Sequence, residues 1–476
     1  MLGKIQRIHF VGIGGIGMSG IAELLLNQGF QISGSDAKPS PVTERLARLG
    51  ARVEYGHDSA HLQQAQVVVV SSAVSEANPE IVAARARHIP VIPRAEMLTE
   101  LMRMKFSIAV AGAHGKTTVT SMVAVMLTEA GLDPTAVIGG RLDVFGSSAR
   151  LGKGELMVAE ADESDRSFLL LLPSIAVITN IDREHLDHYR DLDEIRAAFL
   201  SFMNKVPFYG AVIACWDAPW RQQVETLLPQ IRRRLITYGL EPGARIQGHS
   251  VSLTQDGSCF QAREGDFELG TFCLKVPGRH NVQNALAAIA VGLELSLGAD
   301  QIRKGLERFG GADRRFQNKL EVNGIRLIDD YGHHPVEIRA TLEAARAQGA
   351  ERIWAIFQPH RYTRTQHLMD DFARAFAGCE RVYVLDVYAA SEAPIAGVNS
   401  ERLAARMREL GLQAARYAPS EEAVVSEVAE QAQPGVLIMT IGAGSVGKLS
   451  DTLANVLAAR FSVNPPVAMV TGEGRQ

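Results

Sequence analysis

Short runs of buried-type residues alternate with longer amphipathic stretches from one end of the chain to the other. Ile8-His9-Phe10-Val11, Ser107-Ile108-Ala109-Val110-Ala111 and Ile325-Arg326-Leu327-Ile328 each read as a strand feeding a helical stretch. Strands alternating with helices predict parallel sheets covered on both faces, so the fold class is α/β. Three such openings predict three domains, residues 1–103, 104–311 and 312–460, followed by a loose tail, 461–476. Glycines and breaks in periodicity place the boundaries near Met102-Arg103-Met104-Lys105 and Phe309-Gly310-Gly311-Ala312-Asp313. Between residues 240 and 280 the period shifts to two, as in Ser250-Val251-Ser252-Leu253 and Gly270-Thr271-Phe272-Cys273-Leu274. With turn signals at Asp256-Gly257 and Glu264-Gly265, this predicts antiparallel hairpins appended to the middle domain.

Composition narrows the chemistry. With 46% hydrophobic and 21% charged residues among 476, the chain is a folded one and not a disordered one. Lys+Arg 49 against Asp+Glu 53 leaves a net charge of -4, which provides no general attraction to nucleic acid or anionic lipid. Phosphate chemistry must therefore be local. No stretch reaches the roughly 18 apolar residues of a membrane span, so no membrane insertion is expected and the expected compartment is the cytoplasm. Cys215, Cys259, Cys273 and Cys379 lie far apart without a Cys-x-x-Cys pair. They are expected to be four buried or incidental thiols, neither a zinc site nor a disulfide framework.

The first candidate site is Gly12-Ile13-Gly14-Gly15-Ile16-Gly17, between a strand and an apolar helical run that starts at Met18. Glycines there let the backbone approach a diphosphate, while the helix N-terminus offers unpaired N–H groups. Asp36, at the end of the next strand, stands where an acid can accept a ribose hydroxyl. NAD and a nucleotide-diphosphate sugar both satisfy this pattern.

The second is Ala111-Gly112-Ala113-His114-Gly115-Lys116-Thr117-Thr118, again between a strand and a helix. Backbone N–H groups would wrap phosphate oxygens, Lys116 would neutralise charge on the β,γ-phosphates, and Thr117 would offer a hydroxyl to Mg²⁺. ATP is the ligand this loop suits. One strand ends in Glu160-Ala161-Asp162-Glu163-Ser164-Asp165 and another runs into Asp182-Arg183-Glu184-His185. Glu160 and His185 could then meet beside the loop and complete a metal site with Thr117.

In the third domain, Asp329-Asp330-Tyr331-Gly332-His333-His334-Pro335 reads as a loop that aims polar groups outward before a helix. Arg361 and Arg364, three apart in Phe357-Gln358-Pro359-His360-Arg361-Tyr362-Thr363-Arg364-Thr365, form a fork for a carboxylate or phosphate if the segment turns helically.

Together these segments, from about Ile8 to Arg460, resemble the Mur ligases, ATP-dependent amino-acid-adding enzymes of peptidoglycan precursor synthesis. The phosphate loop has the family's short form, and Glu160, His185, Asn281, Asn284, Arg315 and Asp330 match its shared positions in order. The resemblance implies three domains: a Rossmann-like one for a UDP-sugar, a central P-loop one for ATP and a Rossmann-like one for the amino acid. Within the family the likeness is greatest to the branch that joins L-alanine to UDP-N-acetylmuramate. The tripeptide-recycling sister usually carries Phe-Ala where this chain has Tyr331-Gly332.

On that resemblance Gly14, Gly15, Ile16, Gly17, Met18, Asp36 and Ser71 would hold the UDP-sugar. Gly112 to Thr118, with Asn281, Asn284 and Arg315, would hold ATP, and Thr117, Glu160 and His185 would hold Mg²⁺. Tyr331, His333, Arg361 and Arg364 would surround alanine. Lys116 would act in phosphoryl transfer, and His333 or Asp330 as proton acceptor. The implied partners are small molecules only, with a monomer or homodimer as the assembly. A nicotinamide-dependent dehydrogenase is the rival class, resting on Gly12 to Gly17 and Asp36 alone.

Overall fold

The computed structural model describes residues 4–461 except 72, 143–146, 185–187, 255–256 and 391. The expected tail beyond Phe461, the first residues of the Asp256-Gly257 turn and the expected metal ligand His185 therefore lie outside the described residues. Three sheets organise the rest.

The first sheet is parallel throughout, in the order Arg52–Tyr55, Gln31–Asp36, Arg7–Val11, Val67–Val70, Val91–Pro93. From the central strand Arg7–Val11 the chain moves outward to one side and then to the other. A reversal of this kind opens a crevice at the carboxyl end of the central strand. The glycine turn of residues 12–17 occupies that end, and the helix Ile16–Asn27 leaves from it.

The second sheet has ten strands. Its parallel centre runs Leu235–Gly239, Ala211–Cys215, Ile175–Ile178, Phe106–Ala111, Leu156–Glu160, Thr135–Leu142. Central strands buried on both faces read as unbroken apolar runs, and Ile108, Val110, Val158 and Val177 are fully buried. Ile246–Thr254 and the antiparallel hairpin Gly257–Glu264/Phe267–Leu274 extend one edge, as the period-two pattern predicts. Gly265, at φ +56°, turns that hairpin.

Here the cysteine expectation fails. Cys259 and Cys273 stand directly opposite each other in the hairpin, with Cα atoms 4.2 Å apart, and form a disulfide. Pairing across two strands is set by register, which sequence spacing does not reveal. Cys215 and Cys379 are free and buried, as expected.

The third sheet runs Gln317–Val322, Ile325–Asp330, Val436–Ile441, Arg352–Phe357, Arg381–Val384, Ala415–Tyr417. Only its first strand is antiparallel, joined by Asn323-Gly324 with φ of +48° and +71°.

The chain falls into two compact units that part between Asp313 and Arg314, with two short stretches near residues 254 and 278 counted to the second. The first two sheets share the first unit because one apolar core runs through both. That core includes Ile8, Leu25, Met97, Leu101 and Met102 from the first sheet's side, and Ala109, Ala159, Ile178 and Phe199 from the second's. Met102, beside the expected first boundary, is 1% exposed. Among the described residues no helix is long and apolar enough to cross a membrane.

Candidate active site

The phosphate loop is built by backbone demand. The buried strand Phe106–Ala111 ends at Gly112, whose φ of +138° is open only to glycine, and a Cβ there would overlap Thr179 Oγ1. Gly115 caps the next helix at φ +80°, and a Cβ on it would lie 2.7 Å from Asn284 Oδ1. His114 and Asn180 lock the loop between them. The His114 N–H donates to Asn180 Oδ1 at 2.8 Å, and its carbonyl accepts from Thr179 Oγ1 at 2.6 Å and Asn180 Nδ2 at 3.0 Å. Ala113 completes the bend, and the first helical turn buries Thr118.

Lys116 opens the helix Lys116–Glu129 and folds back over the loop. Its Nζ donates to Gly112 O at 2.7 Å and to Glu163 Oε1 at 2.8 Å. Burial alone would lower its pKa, but the carboxylates of Glu163, Asp162 and Glu160 outweigh burial and raise it. The side chain is thus a fixed ammonium. Beside it the Thr117 hydroxyl donates to Glu160 Oε1 at 3.2 Å.

Thr117 and Glu160 form a pair of hard oxygen groups at the loop's mouth, the donor type Mg²⁺ takes. Asn281 and Asn284, on the helix Arg279–Glu294, are joined by an Asn284 Nδ2 to Asn281 Oδ1 hydrogen bond of 3.3 Å. Phosphate loop, asparagines and acidic residues therefore converge in the first unit. Arg315 belongs to the second, where it pairs with Glu337 at 3.5 Å and lies over the Tyr331 ring.

At the first sheet, Gly14 donates its N–H to Asp36 Oδ2 at 2.8 Å, and Ala37 donates to Oδ1 at 2.8 Å. Asp36 thereby shapes the glycine turn at the spot expected to meet a ribose. Gly15 caps the helix that begins at Ile16 and contains Gly17 and the buried Met18. Ser71 follows the strand Val67–Val70 at the same sheet edge and accepts from the Ala73 N–H at 3.4 Å.

One group there escaped sequence reasoning. Glu80, fully buried, accepts from Ser35 Oγ at 2.6 Å and bonds His61 Nδ1 at 2.8 Å, with His9 and His57 each 3.6 Å away. The Ser35 carbonyl in turn receives the N–H groups of Gly12 and Ile13.

In the second unit Asp330 turns inward. Its carboxylate accepts from the Phe316 N–H and the Gly332 N–H, each at 2.8 Å, and from Thr341 Oγ1 at 3.2 Å. Burial raises its pKa against the pull of Arg315 and those two N–H donors. His333 Nδ1 lies 3.1 Å from the Tyr331 carbonyl. A carbonyl can only accept, so Nδ1 carries a proton.

Arg361, at φ +71°, caps the short helix Tyr362–His367, and its guanidinium lies 3.8 Å from Glu392. Arg364 Nη1 approaches His360 Nδ1 at 3.3 Å. Burial, then Arg364 and Arg361, push the pKa of His360 down to about 4, so its ring is neutral at physiological pH. That ring stacks on Tyr388 at 5.5 Å and faces His333 at 5.7 Å. Tyr331, His333, Arg361 and Arg364 thus gather at one edge of the third sheet around His360. Neither His360 nor its acidic neighbour Glu392 stood out in the sequence, because a lone histidine and a lone glutamate carry no spacing signal.

Comparison with known proteins agrees along most of the chain. Residues 7–106 match the Mur ligase family catalytic domain, residues 110–292 the Mur ligase middle domain, and residues 314–444 the Mur ligase glutamate ligase domain. A UDP-N-acetylmuramate--L-alanine ligase of Solibacter usitatus is 57% identical over 447 residues, covering 94% of each chain. Among solved structures, the UDP-N-acetylmuramate-alanine ligase MurC of Thermotoga maritima is 28% identical. It superposes with a TM-score of 0.80, over 96% of this chain and 99% of that one. A murein peptide ligase of Psychrobacter arcticus, 25% identical, reaches a TM-score of 0.71 over 95% of this chain and 98% of its own. With three successive family domains and a phosphate loop that faces a paired hydroxyl and carboxylate, this chain belongs to the Mur ligase family.

Proposed function

We propose that this protein ligates L-alanine to the lactyl carboxylate of UDP-N-acetylmuramate at the expense of ATP, in the cytoplasm, as a step of peptidoglycan precursor synthesis. The observation that carries the reading is the cluster of Lys116, Thr117 and Glu160 at a glycine loop, in a chain 57% identical to an alanine ligase of this kind. The UDP-sugar would sit on the turn from Gly14 to Met18, and ATP on Gly112 to Thr118 with Asn281 and Asn284.

The carboxylate attacks the γ-phosphate, the bond to the β,γ-bridging oxygen breaks, and an acyl phosphate and ADP result. Charge grows on the transferring oxygens, and fixed N–H groups with the Lys116 ammonium are preorganised to meet it. Thr117 and Glu160, with His185, would hold Mg²⁺, which when bound supplies further neutralisation of that charge. The alanine amine then attacks the acyl carbon and phosphate leaves, giving the amide. Only the free amine is a nucleophile, so its proton must be taken up. We favour His333 over Asp330 as the acceptor, since the Asp330 oxygens are already engaged by three donors in holding the loop. Arg361 and Arg364 would receive the alanine carboxylate, with Tyr331 beside them.

The test is one coupled assay of ADP release with UDP-N-acetylmuramate, ATP and Mg²⁺, run with L-alanine or with the muropeptide tripeptide. Turnover with alanine is expected. Turnover with the tripeptide alone would move the protein to the recycling branch, and ADP release with neither would overturn the ligase reading.

A further inference from the structure

Arg94 has no role in the chemistry derived so far, yet its surroundings are unusual for an arginine. It opens the helix Arg94–Met102 and lays its guanidinium against Gly17, in the first turn of the helix Ile16–Asn27. A Cβ on Gly17 would lie 2.6 Å from Arg94 Nη1 and 3.2 Å from Cζ, so the glycine is what admits the planar group. The end of the helix it touches is the positive one. That first turn contains no acidic residue, and no side chain caps it. A cation against a positive helix end is unfavourable unless an anion lies between or beside them.

The charge facing Arg94 within the unit is Asp162, with Oδ2 3.7 Å from Nη2. That separation is too long for a hydrogen bond. The other Asp162 oxygen is held by the Ser164 N–H at 3.0 Å, so the carboxylate is fixed in place. Asp162 also contributes to raising the pKa of Lys116. Arg94 therefore stands between the glycine turn of the first sheet and the acidic strand end that serves the phosphate loop. About a quarter of its side chain is exposed.

We propose that Arg94 is a substrate-positioning residue whose guanidinium takes an oxygen of the UDP diphosphate seated on the glycine turn, with Asp162 setting its aim. This rests on the proposed UDP-sugar site and deepens it. A diphosphate supplies an anion at a helix end whose own first turn has no acidic residue, and two parallel N–H donors suit a phosphate oxygen pair better than an ammonium does. The arrangement also ties the sugar's anchor to the strand end beside Lys116, so that orientation of the acceptor and of the phosphate donor share one link.

The test compares Arg94→Ala and Arg94→Lys with the unaltered enzyme in steady-state kinetics. UDP alone serves as a competitive inhibitor against UDP-N-acetylmuramate, and thermal melts check folding. In Arg94→Ala the KM for UDP-N-acetylmuramate and the inhibition constant of UDP should both rise ten-fold or more, with the KM values of ATP and alanine within two-fold. Arg94→Lys should recover part of both. An unchanged KM for the UDP-sugar would overturn the proposal. So would a raised KM with unchanged UDP inhibition, which would assign Arg94 to the muramate portion. If the unaltered enzyme released no ADP with these substrates, the ligase reading itself would fall, an outcome distinct from either.

Discussion

Lys116 is held by Gly112 O and Glu163 before any nucleotide arrives, so its charge and position are preset. Lys116→Ala should lower ADP formation by about 10²–10³-fold, the scale of losing one preorganised donor. UDP-N-acetylmuramate binding, measured by calorimetry, should stay within two-fold; normal turnover would remove Lys116 from the reaction. Arg361→Ala should raise the KM for alanine about ten-fold or more, as expected for losing a charge-assisted bond of about 1.5–3 kcal/mol, with the KM for ATP unchanged. An unaltered alanine KM would reject the clamp. Lys116 and Thr117 were legible in the sequence because they sit in a short motif whose backbone dictates their aim; the arginine pair was named on helical spacing, but Arg361 stands outside the helix at φ +71°. Their partners Glu163 and Glu392 were not singled out, since each comes from a segment distant in sequence.

Elements were legible where local periodicity decides them. The strand, glycine turn and helix at residues 7–27 and 106–129 follow the apolar pattern closely. Cross-element polar groupings were not, and the Cys259–Cys273 bond and the Glu80 cluster are the instances. Glu80 comes from the helix Pro79–Ala86 and fastens Ser35, whose carbonyl carries the glycine turn. Burial opposes its ionisation, but the nearby His9 ring and the hydrogen bonds from Ser35 and His61 prevail and lower its pKa to about 2 from 4.5. Because the folded carboxyl is the stronger acid, its contribution is complete above about pH 4.5 and is lost as the pH falls toward 2. That contribution is on the order of 3 kcal/mol. Glu80→Gln should therefore lower the Tm at pH 7 and flatten its decline between pH 4.5 and 2, followed by circular dichroism. An unchanged acid limb would show that the carboxylate does not drive it.

Over the whole molecule, three sheets occupy two compact units. The α/β class and the three-sheet plan follow from alternating strands and helices. What periodicity cannot show is that the first two sheets share one core, because whether two neighbouring domains fuse depends on which faces meet. Calorimetry of the intact protein should accordingly resolve two unfolding transitions, the larger covering residues up to 313. Three separable transitions would contradict the shared core.

The burial of Leu101 and Met102 in that core also bears on recombination among relatives. A chimera cut after Arg103 would carry one half of a greasy seam into a foreign partner, even though every motif in both halves survived. Transplanting the first sheet's module therefore requires moving the facing side chains of the neighbouring sheet along with it, so that the unit of inheritance is the joined pair.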